Sequence, residues 1–317
     1  MKITLISLDN WGFNAHISDY LIAKGHQVTV IDFNKFKYKY PNFWLRIYNF
    51  FLKTFFQKNL KNIYYGKKII AVLESKNEIQ DLILTIKSDF IDPRSLLLLK
   101  KYSKKSIAFL NDSILRYPET TRVLGCFDAV YSFEKEDCKK YNLQFKTNFI
   151  YNSIADTNVK TNYKNQLFNI SSRDQRTKNI IKIAKNLFEQ NINYKIFIFD
   201  EKFRIKSNKF VDVIRKPIPL HEVEKMVSES KTVLDIQRSN QNGLTFRVFE
   251  SLGTQKKLIT TNKDIKSYDF YNANNILIID EKNPVFPKIF FETDYEQIPD
   301  NVLNKYKIEN WVEEFIK

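Results

Sequence analysis

The residues best suited to chemistry lie between a predicted strand and a predicted helix in the second half of the chain. From Leu234 to Asn262 the sequence reads LDIQRSNQNGLTFRVFESLGTQKKLITTN. Gly243 gives the loop freedom to bring backbone N–H groups close to an anion at the helix start, where the dipole favours negative charge. Arg238 and Arg247 can add charge-assisted bonds to a diphosphate. The pattern predicts a phosphate site; an ordinary crossover with a solvated charged helix is the alternative.

Glu250 lies on the same helix, one turn after Phe246. From there its carboxylate can accept hydrogen bonds from the two hydroxyls of a ribose. We expect an exposed helix-end carboxylate, whose removal leaves the fold intact.

The segment Leu234–Asn262 must be held in place by the elements around it, and the sequence predicts that these are alternating strands and helices. The apolar patterns predict strands at Gln166–Ile170, Tyr194–Phe199, Phe210–Ile214, Thr232–Ile236, Lys257–Thr261 and Ile276–Asp280. Helices are predicted at Thr177–Gln190, Leu220–Ser228 and Thr245–Leu252. This is a βαβ series, which is typical of a mostly parallel sheet.

The first half shows a similar alternation. Strands are predicted at Lys2–Leu8, Gln27–Phe33, Lys68–Leu73, Leu82–Ile86, Ser106–Leu110, Ala129–Phe133 and Asn148–Tyr151. Between the first two lies an amphipathic helix that Gly25 closes as a C-cap. Strand, helix, glycine turn and strand predict the opening of a doubly wound sheet.

A polar stretch, DTNVKTNYK at 156–164, separates the two series and is interpreted as a linker. We therefore predict an N-terminal domain at 1–155, a C-terminal domain at 165–294 and a helical segment at 295–317. Each domain is long enough to bury its own core.

Composition excludes several classes of protein. The 317 residues carry 51 Lys and Arg against 36 Asp and Glu, a net charge of +15, and a 43% hydrophobic share excludes a disordered chain. Two cysteines and three histidines supply neither a disulfide framework nor a histidine-based metal site, which favours a reducing, cytoplasmic compartment. The six glycines are too far apart for a G-x-G-x-x-G dinucleotide motif.

Three patches together resemble a known family. They are Gly243-Leu244-Thr245-Phe246-Arg247 with Glu250 and Lys256–Asn262; Asn111-Asp112-Ser113 with Arg116-Tyr117-Pro118; and Ser171-Ser172-Arg173 with Arg176. The chain resembles the GT-B glycosyltransferases, most closely the bacterial branch of spore-maturation-type and surface-polysaccharide transferases.

The resemblance implies two Rossmann-like domains facing across a cleft, the donor on the C-terminal side and the acceptor on the N-terminal side, with a C-terminal helix that crosses back to the N-terminal domain. It implies transfer of a sugar from a nucleotide sugar to a surface glycan. The implied donor-binding residues are Arg173, Arg238, Asn242, Gly243, Leu244, Thr245, Arg247 and Glu250. Many retaining members carry a second glutamate eight positions before the ribose-binding one; here that position is Asn242.

A metal-independent reaction is expected because the chain has no DxD motif, and no cofactor is expected beyond the nucleotide-sugar co-substrate. Asp112 ends a predicted strand, SIAFLND, and is the first candidate for the base that activates the acceptor hydroxyl. Asp9 ends the first strand and is the second candidate. For both, a helix-cap or turn carboxylate is the alternative.

The segment Lys35–Lys68 is basic and aromatic. On a helix from Asn42, polar residues recur every three or four positions beside a broad aromatic face, a pattern suited to the interface of an anionic membrane. A core-packed helix is the alternative. We expect a cytoplasmic protein at the inner face of the membrane, whose partners are a nucleotide sugar and a glycan or lipid-linked acceptor, with no nucleic acid. A basic nucleic-acid-binding protein and a non-catalytic glycan-binding relative remain alternatives.

Overall fold

The structure, a computed structural model, describes residues 1–152 and 163–317. It divides into two compact units: Met1–Thr147 together with Val312–Lys317, and Asn148–Trp311. The predicted linker lies outside the described residues except for Tyr163 and Lys164. None of the described helices is long and apolar enough to cross a membrane.

The N-terminal unit is built on a parallel six-stranded sheet. Its strands are β1 (Lys2–Ser7), β2 (Gln27–Asp32), β3 (Leu82–Ile86), β4 (Ser106–Leu110), β5 (Ala129–Ser132) and β6 (Gln144–Phe145). They lie in the order β2-β1-β3-β4-β5-β6. All residues of β3 and β4 are buried, as expected for the central strands of a parallel sheet covered on both faces.

Five helices surround this sheet: α1 (Ala15–Ala23), α2 (Phe43–Phe56), α3 (Leu60–Lys76), α4 (Pro93–Leu98) and α5 (Lys135–Tyr141). Gly25 follows α1 with φ +80°, as the predicted C-cap requires. The predicted strand Lys68–Leu73 is wrong, because this segment belongs to α3. Its buried residues Ile69, Ile70 and Leu73 recur at helical spacing and face the core.

Helix α2 has an unusual distribution of polarity. Asn42 caps its N-terminus by accepting a hydrogen bond from the backbone N–H of Leu45 at 2.8 Å. The one buried residue of this helix is Asn49. Its amide oxygen accepts from the backbone N–H of Leu60 at 2.8 Å, and its amide nitrogen donates to the Tyr40 hydroxyl at 2.6 Å. A polar side chain therefore faces the protein and fastens α2 to the start of α3.

The aromatic side chains of α2 face solvent instead. Trp44 is 75% exposed, and six further aromatic residues of this helix are exposed as well: Phe43, Tyr48, Phe50, Phe51, Phe55 and Phe56. At about 100° per residue, Phe51 lies roughly 160° around the helix from Asn49. The core-packed alternative for this helix is therefore wrong.

The C-terminal unit contains a second parallel six-stranded sheet. Its strands are β7 (Asn165–Ser172), β8 (Tyr194–Phe199), β9 (Asp212–Ile214), β10 (Ser230–Asp235), β11 (Lys257–Thr260) and β12 (Ile276–Ile278). They lie in the order β12-β11-β10-β7-β8-β9. The predicted strand at Asn148–Tyr151 is reduced to one isolated bridge between Ile150 and Lys307.

The remaining helices are α6 (Thr177–Glu189), α7 (Leu220–Ser228), α8 (Phe246–Gly253), α9 (Lys288–Glu292), α10 (Asp300–Leu303) and α11 (Ile308–Ile316). Helix α6 buries Ile180, Ile183, Ala184 and Leu187, which recur at helical spacing along one face. Both units thus have the doubly wound α/β architecture that the strand–helix alternation predicts.

Candidate functional site

The strand order of the C-terminal sheet reverses between β7 and β10. The chain proceeds from β7 through β8 and β9 on one side, then returns to β10, which pairs with β7, and continues to β11 and β12 on the other side. In open parallel sheets, ligands bind beyond the carboxyl ends of the strands at such a reversal. The loops that leave β7 and β10 there are 173–176 and 236–245, which carry Arg173 and Arg238, whereas Arg247 lies in the first turn of α8.

Asp174 joins these two loops. Its carboxylate accepts from Arg176 Nη2 at 2.7 Å and from Arg238 Nε at 3.1 Å. Arg176 Nη1 also donates to the backbone carbonyl of Ile236 at 2.7 Å. Although burial favours the neutral acid, the hydrogen bonds and charge of Arg176 and the charge of Arg238 hold the pKa of Asp174 below its ordinary value. Arg238 is thereby held at the carboxyl edge of the sheet by a residue that sequence analysis missed.

Arg173 lies one residue beyond β7. Its backbone N–H donates to the carbonyl of Phe199 at 2.8 Å, which continues the sheet pairing. Its side-chain Nε is buried and has no hydrogen-bond partner among the described residues. A buried guanidinium N–H without an acceptor is costly, and an anionic ligand would supply one.

The start of α8 is fixed by the end of β10. Thr245 caps the helix by accepting from the backbone N–H of Arg247 at 3.2 Å. Its hydroxyl donates to Asp235 at 2.9 Å, and the Thr260 hydroxyl donates to the other oxygen of that carboxylate at 3.0 Å. The buried Asp235 therefore positions the helix N-terminus, another role that sequence analysis missed.

The turn before this helix is held from several sides. The carbonyl of Asn242 accepts from the Asn262 amide at 2.9 Å, and the carbonyl of Leu244 accepts from the Asn148 amide at 2.8 Å. Gly243 lies buried between them. The predicted donor loop is therefore a fixed segment of the C-terminal unit.

Glu250 differs from the sequence-based expectation. The prediction of an exposed helix-end carboxylate is wrong, because the side chain is 2% exposed. One carboxylate oxygen contacts the Arg247 guanidinium, and the other accepts from the Tyr151 hydroxyl. Burial lowers the pKa of Arg247, and the negative charge of Asp235 opposes this. The ribose-binding role of Glu250 stays a prediction and requires Tyr151 or Arg247 to move aside.

Asp112 lies two residues beyond β4 in the N-terminal unit. One carboxylate oxygen contacts the Lys87 ammonium and the other contacts the Arg116 guanidinium. Lys87, directly after β3, has φ +67°, a left-handed conformation uncommon for a residue with a side chain. Its ammonium lies 4.5 Å from the centre of the Tyr117 ring. The structure brings a carboxylate and two cations together at the carboxyl edge of this sheet, whereas a role as base stays a prediction.

Asp9 follows β1 and shapes the loop after it. Its carboxylate accepts from the backbone N–H groups of Gly12 at 2.7 Å and Asn14 at 2.9 Å. A third backbone N–H, that of Trp11, lies at 3.3 Å. These contacts are those of a carboxylate that stabilises a turn, which is the alternative to a catalytic base that the sequence left open for Asp9.

Comparison with known proteins addresses the fold. No protein-family model matches the chain, and no curated protein does. An alpha-glucosyltransferase in complex with UDP matches over 100% of both chains with TM-score 0.59 and 11% identity. The alpha-glucosyltransferase with UDP and a 13-mer DNA containing an HMU base matches over 100% of this chain and 94% of that chain, with TM-score 0.58 and 11% identity.

A UDP-forming alpha,alpha-trehalose-phosphate synthase from Burkholderia xenovorans matches over 99% of this chain and 98% of that chain, with TM-score 0.52 and 10% identity. Each match extends over both doubly wound units. The resemblance read from the sequence is therefore confirmed at the level of the fold: the chain has the GT-B glycosyltransferase fold.

Proposed function

We propose that this protein is a glycosyltransferase that moves a sugar from a nucleotide-sugar donor to a surface-glycan acceptor in capsule, lipopolysaccharide or exopolysaccharide synthesis, without a metal ion. The observation that carries the proposal is the joining of two arginine-bearing loops at the strand-order reversal of the C-terminal sheet, through Asp174 and Arg238. The second support is the buried Nε of Arg173, which has no hydrogen-bond partner within residues 1–152 and 163–317.

Glycosyl transfer develops positive charge at the anomeric carbon and negative charge on the departing phosphate. Fixed cations aimed at that phosphate stabilise the transition state without reorganisation. In this proposal Arg173 and Arg238 bind the diphosphate, and Arg247 adds positive charge near it. The turn that binds the rest of the donor consists of Asn242, Gly243, Leu244 and Thr245. Asp112 accepts the proton of the acceptor hydroxyl.

A thermal-shift panel of UDP, GDP, CMP and TDP tests the donor site. UDP heads the panel because two of the structurally similar enzymes bind or form it. A nucleotide at about 100 times its Kd stabilises the folded protein by about 2.7 kcal/mol. No shift with any nucleotide would contradict the proposal.

Arginine variants then test the phosphate role. Arg173→Ala and Arg238→Ala should each lower the affinity for UDP by roughly 10–100-fold, the range for a lost hydrogen bond to a charged group. The affinity for uridine should remain nearly unchanged. Arg204→Ala, at an exposed arginine of the same unit, is the matched control. Equal losses for UDP and uridine would remove the phosphate role.

We further propose that the protein works in the cytoplasm at the inner face of the membrane, with the Lys35–Lys68 segment on anionic lipid. The exposed aromatic face of α2 and its cations Arg46 and Lys53 support this. Binding to vesicles of equal parts phosphatidylcholine and phosphatidylserine should partly survive about 1 M salt, where the Debye length is about 3 Å, because burial of aromatic side chains is not screened.

The variant Trp44→Ser/Phe51→Ser should lose the salt-resistant part of vesicle binding and melt like wild type. Phe203→Ser, which removes a similarly exposed aromatic residue of the C-terminal unit, should have no effect. An unchanged double variant would contradict the membrane role of α2.

DNA is a second candidate acceptor, because the net charge is +15 and the similar alpha-glucosyltransferase was solved with DNA. Charge alone predicts DNA binding that disappears at high salt. Salt-resistant DNA binding, together with no binding to vesicles, would favour this candidate over a membrane-borne glycan.

A further inference from the structure

A cavity of about 990 Å³ lies within the N-terminal unit. Its walls are the turn between α2 and α3, the first turns of α4, and the short 3-10 helix Pro118–Arg122. The volume is in the range of sites that enclose a small molecule. Apolar side chains line part of its surface: Ile63, Ile91, Leu98 and Val123.

Cations dominate the charged lining of this cavity. Five are present: Lys53, Lys58, Lys67, Arg94 and Arg122. None of the five forms an ion pair within residues 1–152 and 163–317. The same lining contains three acidic residues. These are Asp89, Asp92 and Glu119. Asp92 caps α4 by accepting a hydrogen bond from the backbone N–H of Ser95 at 3.2 Å. Burial raises the pKa of Asp89 and so favours its neutral form.

The cavity adjoins the C-terminal end of α2. Lys53 and Gln57, from the last turn and the C-cap of that helix, belong to the lining, and Phe50 and Phe56 lie within one turn of them. Leu98, from α4, also lines the cavity while remaining 36% exposed. Exposed apolar side chains of α2 and α4 thus lie next to cationic residues of the cavity lining.

We propose that this cavity binds the phosphate head of a membrane amphiphile, with the apolar chain leaving along the exposed face of α2. Unpaired guanidinium and ammonium groups bind phosphate oxygens, and arginine does so through two parallel N–H donors. The apolar lining and the α2 face bury the first part of the chain. Binding of the amphiphile is independent of glycosyl transfer; its use as an acceptor carrier rests on the proposed function.

The test uses the full chain and four soluble probes: farnesyl phosphate, short-chain phosphatidic acid, farnesol and inorganic phosphate. Both amphiphilic phosphates should bind at least about tenfold more tightly than farnesol, which lacks the phosphate, or inorganic phosphate, which lacks the apolar chain. Tighter binding of phosphatidic acid identifies a bilayer phospholipid as the source, and tighter binding of farnesyl phosphate identifies a prenyl carrier.

Two variants separate the parts of the site. The double variant Arg94→Gln/Arg122→Gln should lower the affinity for both amphiphiles by at least about tenfold. Leu98→Trp should also lower it, because the larger side chain fills the cavity. The control Lys24→Gln/Lys101→Gln removes two exposed cations outside the lining and should bind like wild type. Because Arg94 and Arg122 are exposed and form no ion pair in the described chain, melting temperatures should remain unchanged.

UDP provides the check that keeps the two proposals distinct. It should bind every cavity variant like wild type and should not displace farnesyl phosphate. Amphiphile binding that is unaffected by either cavity variant, or displaced by UDP, overturns the cavity proposal and leaves the transferase proposal standing. A wild-type protein that binds none of the four nucleotides of the panel but still binds the amphiphiles would contradict the transferase proposal and leave the cavity proposal standing.

Discussion

Replacement of Glu250 by glutamine should strongly destabilise the C-terminal unit. The carboxylate is 2% exposed and the Arg247 guanidinium 16% exposed, so removing the negative charge leaves a buried cation without its partner. Breaking a buried ion pair on one side costs about 3–5 kcal/mol. For a unit of this size, about 2–4 °C per kcal/mol converts that cost into a fall of roughly 6–20 °C in melting temperature.

Differential scanning calorimetry of a double-mutant cycle measures this effect. The cycle combines Glu250→Gln, Arg247→Met and the double variant, in which neither charge is left unpaired. We expect the double variant to be more stable than Glu250→Gln alone. Glu136→Gln is the matched control, since Glu136 forms a pair of similar spacing with Lys139 but on an exposed surface, where such pairs contribute little.

The result that would refute this reasoning is a Glu250→Gln variant that melts like wild type and like Glu136→Gln. It would mean that Glu250 is solvated in solution, as the sequence pattern first indicated, and available to a ribose. A destabilised variant with additive single effects would also contradict a direct pair between Glu250 and Arg247.

Three further predictions concern other parts of the molecule. Asp112→Asn should lower turnover by about 10²–10⁴-fold with donor affinity preserved; unchanged turnover would return Asp112 to a purely ion-pairing role. Burial lowers the pKa of Lys256 and of its neighbour Lys257 to about 8, so the unfolded chain binds more protons between about pH 8 and pH 10.5 and stability should rise with pH across that window. Lys256→Met should reduce this rise by about half in urea unfolding, because Lys257 still contributes, and an unchanged slope would exclude Lys256 as a source. Gly253→Ala should destabilise by about 1–3 kcal/mol, because the added Cβ meets the carbonyl oxygen of Asn152, whereas Gly125→Ala, with open space around it, should have little effect.

The sequence by itself determined the order of most strands and helices. Hydrophobic runs flanked by polar turns identified β3, β4 and α7 with their observed bounds, because buried parallel strands and amphipathic helices have local, periodic signatures. The same patterns placed the arginine-bearing loops after β7 and β10. Short apolar runs remain ambiguous between helix and strand, which is why residues 68–73 were assigned to the wrong class.

Only the tertiary structure decided which faces and charges are covered. Asp174 accepts a hydrogen bond from Arg238, which lies 64 positions later in the chain, and Glu250 accepts one from Tyr151, which lies 99 positions earlier. Asn49 faces inward because the backbone N–H of Leu60 needs an acceptor there. A local sequence pattern shows which residues of one helix or strand are apolar and which are polar. Which of its two faces is buried depends on the elements that pack against it, and those elements are remote in sequence.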